Sequence, residues 1–187
     1  MATVMQNFYR ALSLVIISTL FVGCVSLADL EEPEGNEQLI SASHNAANEL
    51  IRHSKGKIFP EDIMLASTFV DVNNLAKSSQ LGRTVTELVV SGLTQKGYTV
   101  KEIKLRKGGG FKVRKNGEFV LSRRVQEISR DFKARFVLTG TYSTSIDFVF
   151  LTVRIVRIID NTIVSSHDFA IDMDKNVNYL VSIQNKN

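Results

Sequence analysis

The chain has 187 residues, of which 44% are hydrophobic and 22% are charged, with a net charge of +4 and one cysteine. This composition is ordinary for a globular protein and excludes a collagen-like repeat, a disulfide scaffold and a low-complexity disordered chain. A multi-pass membrane protein is excluded too, because only one apolar stretch is long enough to concern a membrane. One domain of about 100–150 residues is expected.

The N-terminus has the pattern of an export signal. Arg10 is the only charged residue among the first 28, and residues 11–22 are apolar or carry a small hydroxyl group. An apolar segment of this length is typical of a signal peptide. It ends in the sequence LFVGC, which resembles the bacterial lipobox. The resemblance implies cleavage after Gly23, diacylglycerol on the Cys24 thiol and acylation of the new N-terminus.

Two alternatives stay open at this end of the chain. Continued through Cys24 to Ala28, the apolar stretch is just long enough for an uncleaved membrane anchor. A secreted protein with a buried cysteine is the other alternative. The position of the only cysteine favours the lipoprotein, whose acyl chains contribute about 0.8 kcal/mol per buried CH₂. Val25 is not the Asp that retains enteric lipoproteins in the inner membrane, so the resemblance implies delivery to the outer membrane.

The composition changes after the cysteine. Residues 1–23 are predicted to be the signal peptide, and residues 24–36 an acidic tether that carries four acidic and no basic residues. Residues 37–187 are predicted to form a single domain. Its first element is a helix over residues 37–53 with Asn36 as the cap, because apolar residues recur at intervals of three and four.

The histidines of this helix give no metal pattern. His44 and His53 lie nine residues apart, whereas two ligands on one helix need a spacing of four. Both are therefore predicted to be surface residues.

The middle of the chain predicts a strand–helix–strand unit. Residues 63–70 are almost all apolar, which is typical of a central strand covered on both faces. A helix is predicted from Ser79, with Gly97 after its end, followed by a strand over 98–105. The short connections imply a right-handed crossover and a parallel pair of strands.

A hairpin and a short helix are predicted next. Residues 111–114 lie between glycine-containing turns and are interpreted as a small β-hairpin or an ordered loop. Ser122 is predicted to cap a short helix that presents Val125, Ile128 and Phe132 on one side.

The last third predicts an antiparallel meander. Residues 135–143, 148–159 and 163–171 are β-rich and are separated by turn-forming residues. Gly140 within the first run indicates a bulge or a close approach by a helix. The predicted fold class is therefore α/β with a mixed (α+β) sheet, an extra N-terminal helix packing on one face.

Segments spread along these elements resemble the FlgO domain of bacterial flagellar outer-membrane lipoproteins. Within residues 64–172 they include FVDVN (69–73), SQLGR (79–83), KGYTV (96–100), EFVLSR (118–123), VLTGTYS (137–143) and residues 156–168. The resemblance implies a non-enzymatic structural or assembly component of the flagellum that is needed for motility. It implies a location in the outer membrane with the domain facing the periplasm. No cofactor is expected apart from the lipid on Cys24.

The expected partners follow from export and from this family. They are the outer membrane through the lipid anchor, other flagellar or envelope proteins and further copies of the chain, and not nucleic acid.

No residue pattern indicates an enzyme. The three glycines at 108–110 precede a predicted strand rather than a helix, so they indicate a flexible turn and not a phosphate-binding loop. No serine lies in a G-x-S-x-G elbow, and the adjacent His167 and Asp168 would point to opposite faces of a strand. Asp71 is expected to satisfy loop amides. No catalytic residue and no metal site are predicted, and a small hydrolase is the third hypothesis.

Charge is strongly segregated. Residues 27–62 carry 8 acidic and 3 basic residues, and residues 96–135 carry 13 basic and 4 acidic, for net charges of −5 and +9. A solvated face is the simpler interpretation. The alternative function is an envelope binding module whose basic hairpin holds a polyanion, such as lipid phosphate or peptidoglycan, or an acidic protein.

Candidate interaction residues are taken mainly from this basic segment. Arg83 is added because a cation at a helix N-terminus is unfavourable and predicts a salt bridge to a carboxylate such as Asp71, or a partner. The candidates are Arg83, Lys104, Arg106, Lys107, Lys112, Arg114, Lys115, Arg123 and Arg124.

Overall fold

The computed structural model describes residues 35–75, 79–103, 111–113, 119–121 and 123–183. The helices of these residues are α1 (Gly35–Ser54), α2 (Gln80–Gln95), α3 (Arg123–Asp131) and α4 (Lys175–Ser182). The strands are β1 (Ile63–Ala66), β2 (Val70–Asp71), β3 (Thr99–Glu102), β4 (Phe111–Val113), β5 (Phe119–Leu121), β6 (Phe136–Thr144), β7 (Phe148–Arg157) and β8 (Thr162–Asp172).

Six strands form one mixed sheet in the order β3-β1-β6-β7-β8, with β2 also paired to β6. β1 runs parallel to β3 and to β6, whereas β6, β7 and β8 form antiparallel pairs. β4 and β5 form a separate antiparallel hairpin. The predicted mixed-sheet fold class, parallel pair, hairpin and meander are therefore confirmed.

Apolar side chains pack on both faces of the sheet. The larger core joins one face to α1, α2 and α4, and the smaller core lies on the other face with Val125 of α3. In β1, Met64 and Ala66 belong to the larger core and Leu65 to the smaller one, which explains the unbroken apolar run in the sequence. None of the helices built from the described residues has the length and apolar composition needed to cross a bilayer.

The ends of the helices test the predicted caps. Ser79 is the N-cap of α2, and its side-chain oxygen accepts a hydrogen bond from the Gly82 backbone N–H at 3.0 Å. Gly97 follows the end of α2 with φ of +85°, a conformation that favours glycine. Both predictions are confirmed. The predicted cap of the first helix is wrong, because α1 already begins at Gly35 and includes Asn36.

The predicted strand over residues 63–70 is interrupted. From Ala66 to Val70 the chain advances four residues, whereas the partner positions on β6 advance three, from Leu138 to Thr141. One extra residue on one strand is a β-bulge, so the run is divided between β1 and β2. The bulge contains Phe69, whose backbone N–H leaves the ladder and donates to a side chain of α2.

Two other expectations need correction. Phe132 lies beyond the end of α3, and its side chain is 41% exposed with the Lys101 ammonium 4.6 Å from the ring centroid.

The helix α4 was not predicted. It is held at its start by Asp174, which accepts from the Val177 N–H at 2.7 Å, and Val177 is its buried residue. Val177, Leu180 and Val181 pack on the core at helical spacing, but a single repeat within eight residues is too short to predict a helix from sequence.

We use the name Phe69 junction for Phe69, Gly82, Thr86 and Gly140, which meet where the bulge passes between α2 and β6. A Cβ atom at Gly82 would lie 2.2 Å from the Phe69 carbonyl oxygen, and one at Gly140 would lie 2.9 Å from the Phe69 ring. The Phe69 N–H donates to Thr86 Oγ1 at 2.9 Å, and that hydroxyl donates to the Gly82 carbonyl at 2.7 Å. The prediction at Gly140 is wrong in both of its alternatives, because the bulge lies on the neighbouring strand and a phenyl ring, not a helix, approaches this glycine.

Replacement of Gly82 by alanine tests the Phe69 junction. A Gly→Ala change in a helix interior ordinarily stabilises a protein by about 1 kcal/mol. At Gly82 the new methyl group overlaps a backbone carbonyl, so we expect Gly82→Ala to lower the free energy of unfolding by about 1–3 kcal/mol. Urea denaturation measures the change. Gln95→Ala at the exposed end of α2 is the control and should change stability by less than about 0.5 kcal/mol.

Candidate functional site

Among the described residues, Arg83 is the candidate interaction residue for which the sequence predicts a specific contact. Arg83 lies half-buried in the first turn of α2, but none of the ion pairs between described residues includes it, so the predicted salt bridge to Asp71 is wrong. Asp71 Oδ1 instead accepts from the Asn73 N–H at 2.8 Å. The prediction that Asp71 satisfies a loop amide is therefore confirmed.

A buried hydroxyl group lies near the same end of α2. Burial raises the pKa of Tyr142, a hydrogen bond with the Ser79 side chain opposes that shift, and the charge of Asp71 adds to it. Tyr142 is therefore a neutral hydrogen-bonding group that packs at the N-terminus of α2, next to the Phe69 junction.

Most of the other predicted site residues lie outside the described residues. These are Gly23, Cys24, Lys104, Arg106, Lys107, Arg114 and Lys115. Lys112 is the middle residue of β4, and Arg123 and Arg124 are the first two residues of α3. The lipid anchor and the binding role of the basic hairpin therefore stay predictions.

The described end of the basic segment lines a cleft of about 670 Å³ between α3 and the turn that joins β7 to β8. Four basic residues line it: Arg130, Lys133, Arg135 and Arg157. The first three belong to the basic segment of the sequence but were not among the predicted candidates. Arg157 comes from a different part of the chain, and the sheet places it here because Phe136 of β6 pairs with Arg157 of β7.

Ion pairs neutralise two of the four cations. Arg157 Nη2 lies 2.7 Å from Asp160 Oδ2, and the Arg157 Nε is 3.0 Å from Oδ1. Arg135 pairs with Asp62, whose side chain is only 5% exposed. Arg130 and Lys133 belong to no ion pair found between described residues.

The rest of the lining is apolar or neutral. Ala134, Ile158 and Ile159 form the apolar part, and Ile159 is almost fully exposed. All ten residues of the lining are described, and none is a carboxylate, a histidine or a cysteine. The cleft therefore offers two cations that pair with no described carboxylate, beside an apolar wall, which suits an anion on an apolar carrier.

A pH titration tests the charge pairing of the cleft. The hydrogen bond from Arg157 lowers the pKa of Asp160 well below its ordinary value of 3.8. Because the folded-state pKa is depressed, the pair stabilises the fold above the unfolded pKa and is lost as the pH falls through the folded one. We expect the Asp160 carboxyl ¹³C resonance to titrate at lower pH than other exposed carboxyl groups. In Arg157→Gln its pKa should return toward 3.8.

The mixed sheet with its covering helices and the cleft define a class: an α+β domain with a basic surface cleft. The family model described as FlgO protein matches residues 44–176, more than two thirds of the chain. The chain belongs to the FlgO family. Membership of this family supports an envelope lipoprotein.

Comparison with curated proteins found no significant match. Solved structures with a similar arrangement include the LpoB C-terminal domain from Salmonella enterica, at 13% identity and a TM-score of 0.49, covering 71% of this chain and 97% of that one. The PelC dodecamer from Paraburkholderia phytofirmans matches at 15% identity and a TM-score of 0.39, covering 66% of this chain and 81% of that one. Lipoprotein GNA1162 from Neisseria meningitidis matches at 17% identity and a TM-score of 0.37, covering 65% of this chain and 91% of that one. With TM-scores below 0.5, these likenesses carry no functional argument.

Proposed function

We propose that this protein is a non-enzymatic outer-membrane lipoprotein that acts as a structural or assembly component of the flagellum and is needed for motility. The observation that carries the proposal is the FlgO match over residues 44–176. The lipobox ending at Cys24 supports it independently, since this segment lies outside the matched residues. The lipid on Cys24 would fix the domain to the outer membrane, facing the periplasm.

The length of the tether limits where the domain acts. Ten residues separate Cys24 from the start of α1 at Gly35. At about 3.5 Å per extended residue, the eleven steps from Cys24 to Gly35 hold the start of α1 within about 40 Å of the lipid anchor. The domain would therefore contact proteins at the periplasmic face of the outer membrane. This position fits a component located where the flagellum crosses that membrane.

The chemistry of the cleft favours binding over catalysis. Its lining supplies cations and apolar groups, and the polar Ser129 hydroxyl is already used in a hydrogen bond to the Gln126 carbonyl. Partners held by such a surface are acidic proteins or further copies of this chain, whose residues 27–62 carry a net charge of −5.

Substitution of the lipidated residue tests the proposed anchor and role together. Cys24→Ala removes the thiol that carries the lipid, so we expect the protein to leave the outer-membrane fraction. Swimming on soft agar should fall to the level of a strain lacking the gene. Ser26→Ala, two residues away, is the control and should change neither. Normal swimming in the strain lacking the gene would contradict the flagellar part of the proposal, whatever the fractionation shows.

A second candidate function is supported by the two cations of the cleft that pair with no described carboxylate. Arg130 and Lys133 lie beside the exposed side chain of Ile159. An envelope binding module would use these cations, with the basic hairpin, to hold a polyanion such as lipid phosphate.

Neutralising the two cations tests this second candidate. The protein with Arg130→Gln and Lys133→Gln should bind short-chain polyphosphate about 30-fold more weakly, since each cation contributes about 1 kcal/mol to binding a phosphate surface. Fluorescence anisotropy of the labelled polymer measures this with the lipoprotein in neutral detergent. The control carries Lys57→Gln and Lys96→Gln, which remove the same charge from exposed positions outside the cleft. Equal loss in both proteins, or binding that ignores added salt, rejects the cleft as the site.

A further inference from the structure

Three side chains with metal-binding atoms meet where α1 packs against β8. Glu49 and His53 lie one turn apart on α1, and His167 lies on β8. One ligand atom from each of the three lies within 4.8 Å of the other two. The spacing of His44 and His53 in the sequence did not reveal this cluster. The ligand one turn from His53 is Glu49 rather than a histidine, and His167 lies more than 100 residues away.

The spacing already suits a tetrahedral metal ion. His53 Nε2 lies 3.4 Å from Glu49 Oε2. Two ligand atoms at about 2.0–2.2 Å from a tetrahedral zinc ion are separated by about 3.4 Å. The helix therefore holds this nitrogen and this oxygen along one edge of such a tetrahedron without any backbone movement.

The hydrogen bonds of His53 fix its ligand nitrogen. Nδ1 lies 3.1 Å from the Ser166 carbonyl oxygen, which can only accept, so Nδ1 carries the proton of this bond. Nε2 then carries a lone pair, which accepts from the Arg52 guanidinium at 2.7 Å in this structure. A backbone carbonyl that orients the second nitrogen of a metal-binding histidine is a typical outer-shell arrangement.

A cation already occupies the space between the two ligand atoms. Arg52 Nη2 lies 2.7 Å from His53 Nε2 and also contacts Glu49 Oε2. Arg52 Nε also donates to Glu49 Oε2 at 2.9 Å, but the Arg52 side chain is two-thirds exposed, so solvent screens this ion pair. The cluster thus already holds one cation, and a metal ion would take the place of Arg52.

The third ligand comes from the sheet. β8 pairs His167 with the buried Val153, so the imidazole lies on the helix-covered face with Phe169. The His167 ring stacks on the Phe169 ring at 6.1 Å and lies 6.2 Å from the His53 ring, measured between centroids. The stacking orients the imidazole beside α1.

We propose that Glu49, His53 and His167 bind one zinc ion, through one carboxylate oxygen and two imidazole nitrogens, with water at the fourth position. Two nitrogens and one oxygen are a ligand set that zinc accepts. The ion would add a further link between α1 and β8, elements that already share packing and hydrogen bonds, among them the bond from Ser165 Oγ to the Leu50 carbonyl at 2.6 Å and those between Gln38 and Asp172. The proposal is independent of the proposed flagellar function.

Calorimetric titration with zinc chloride tests this site in the full lipoprotein, purified in detergent without a polyhistidine tag. We expect one ion per chain. His167→Gln and Glu49→Gln should each weaken binding at least about tenfold. His44→Gln, on the same helix but outside the cluster, should leave the affinity unchanged.

Arg52→Gln gives a readout of the opposite sign. It removes the competing cation, so zinc should bind more tightly than to the unchanged protein. Circular dichroism without zinc checks that each variant is folded. If one of Glu49→Gln and His167→Gln is not folded, the other one carries the test. Absence of saturable binding, or an equal loss in His44→Gln and His167→Gln, would overturn the proposal. Weaker binding in Arg52→Gln would overturn it as well.

Discussion

The contact of Phe69 with two glycines sets how the helices of this protein meet its sheet. The ring lies flat on Gly140 in β6, and the carbonyl of the same residue lies against Gly82 in the first turn of α2. Neither position has room for a Cβ atom, so the backbones of bulge, helix and strand approach more closely than ordinary side chains permit. The hydrogen bond to Thr86 then satisfies the N–H that the bulge removes from the ladder. Because α1 packs on α2 and β8, the placement of both helices depends on this junction.

The Phe69 junction also explains part of the resemblance to the FlgO family. Three of the segments that resemble FlgO (69–73, 79–83 and 137–143) converge on the Phe69 junction, although the third lies more than 50 residues beyond the other two. They are explained by close packing, with no need for a site. The groups that can meet a partner lie elsewhere, in the cleft beside α3 and on the surface between α1 and β8. A rigid core that presents binding groups at its edges is a common arrangement.

Local patterns predicted most of the fold, and contacts distant in sequence account for what they missed. The sequence placed β7 and β8 from β-rich runs bounded by turn residues, and it placed α2 between Ser79 and Gly97. Those features depend on neighbouring residues. The bulge at Phe69 depends on glycines 13 and 71 residues away, so the run over 63–70 looked continuous. In the candidate sites, strand pairing brings Arg157 to the cleft, and the packing of α1 on β8 brings His167 to Glu49 and His53. The basic charge of the cleft was visible in the sequence, but its shape was not.

The central claim is that a FlgO-family domain, held by lipid at the outer membrane, works at the flagellum. Its most direct test is the location of the protein in the cell. Hook–basal bodies isolated after detergent extraction of the outer membrane should contain this protein at a fixed ratio to the ring proteins. The Cys24→Ala variant should be absent from them. Removal of the wild-type protein with the bulk outer-membrane lipoproteins, leaving none on the basal bodies, would contradict the account.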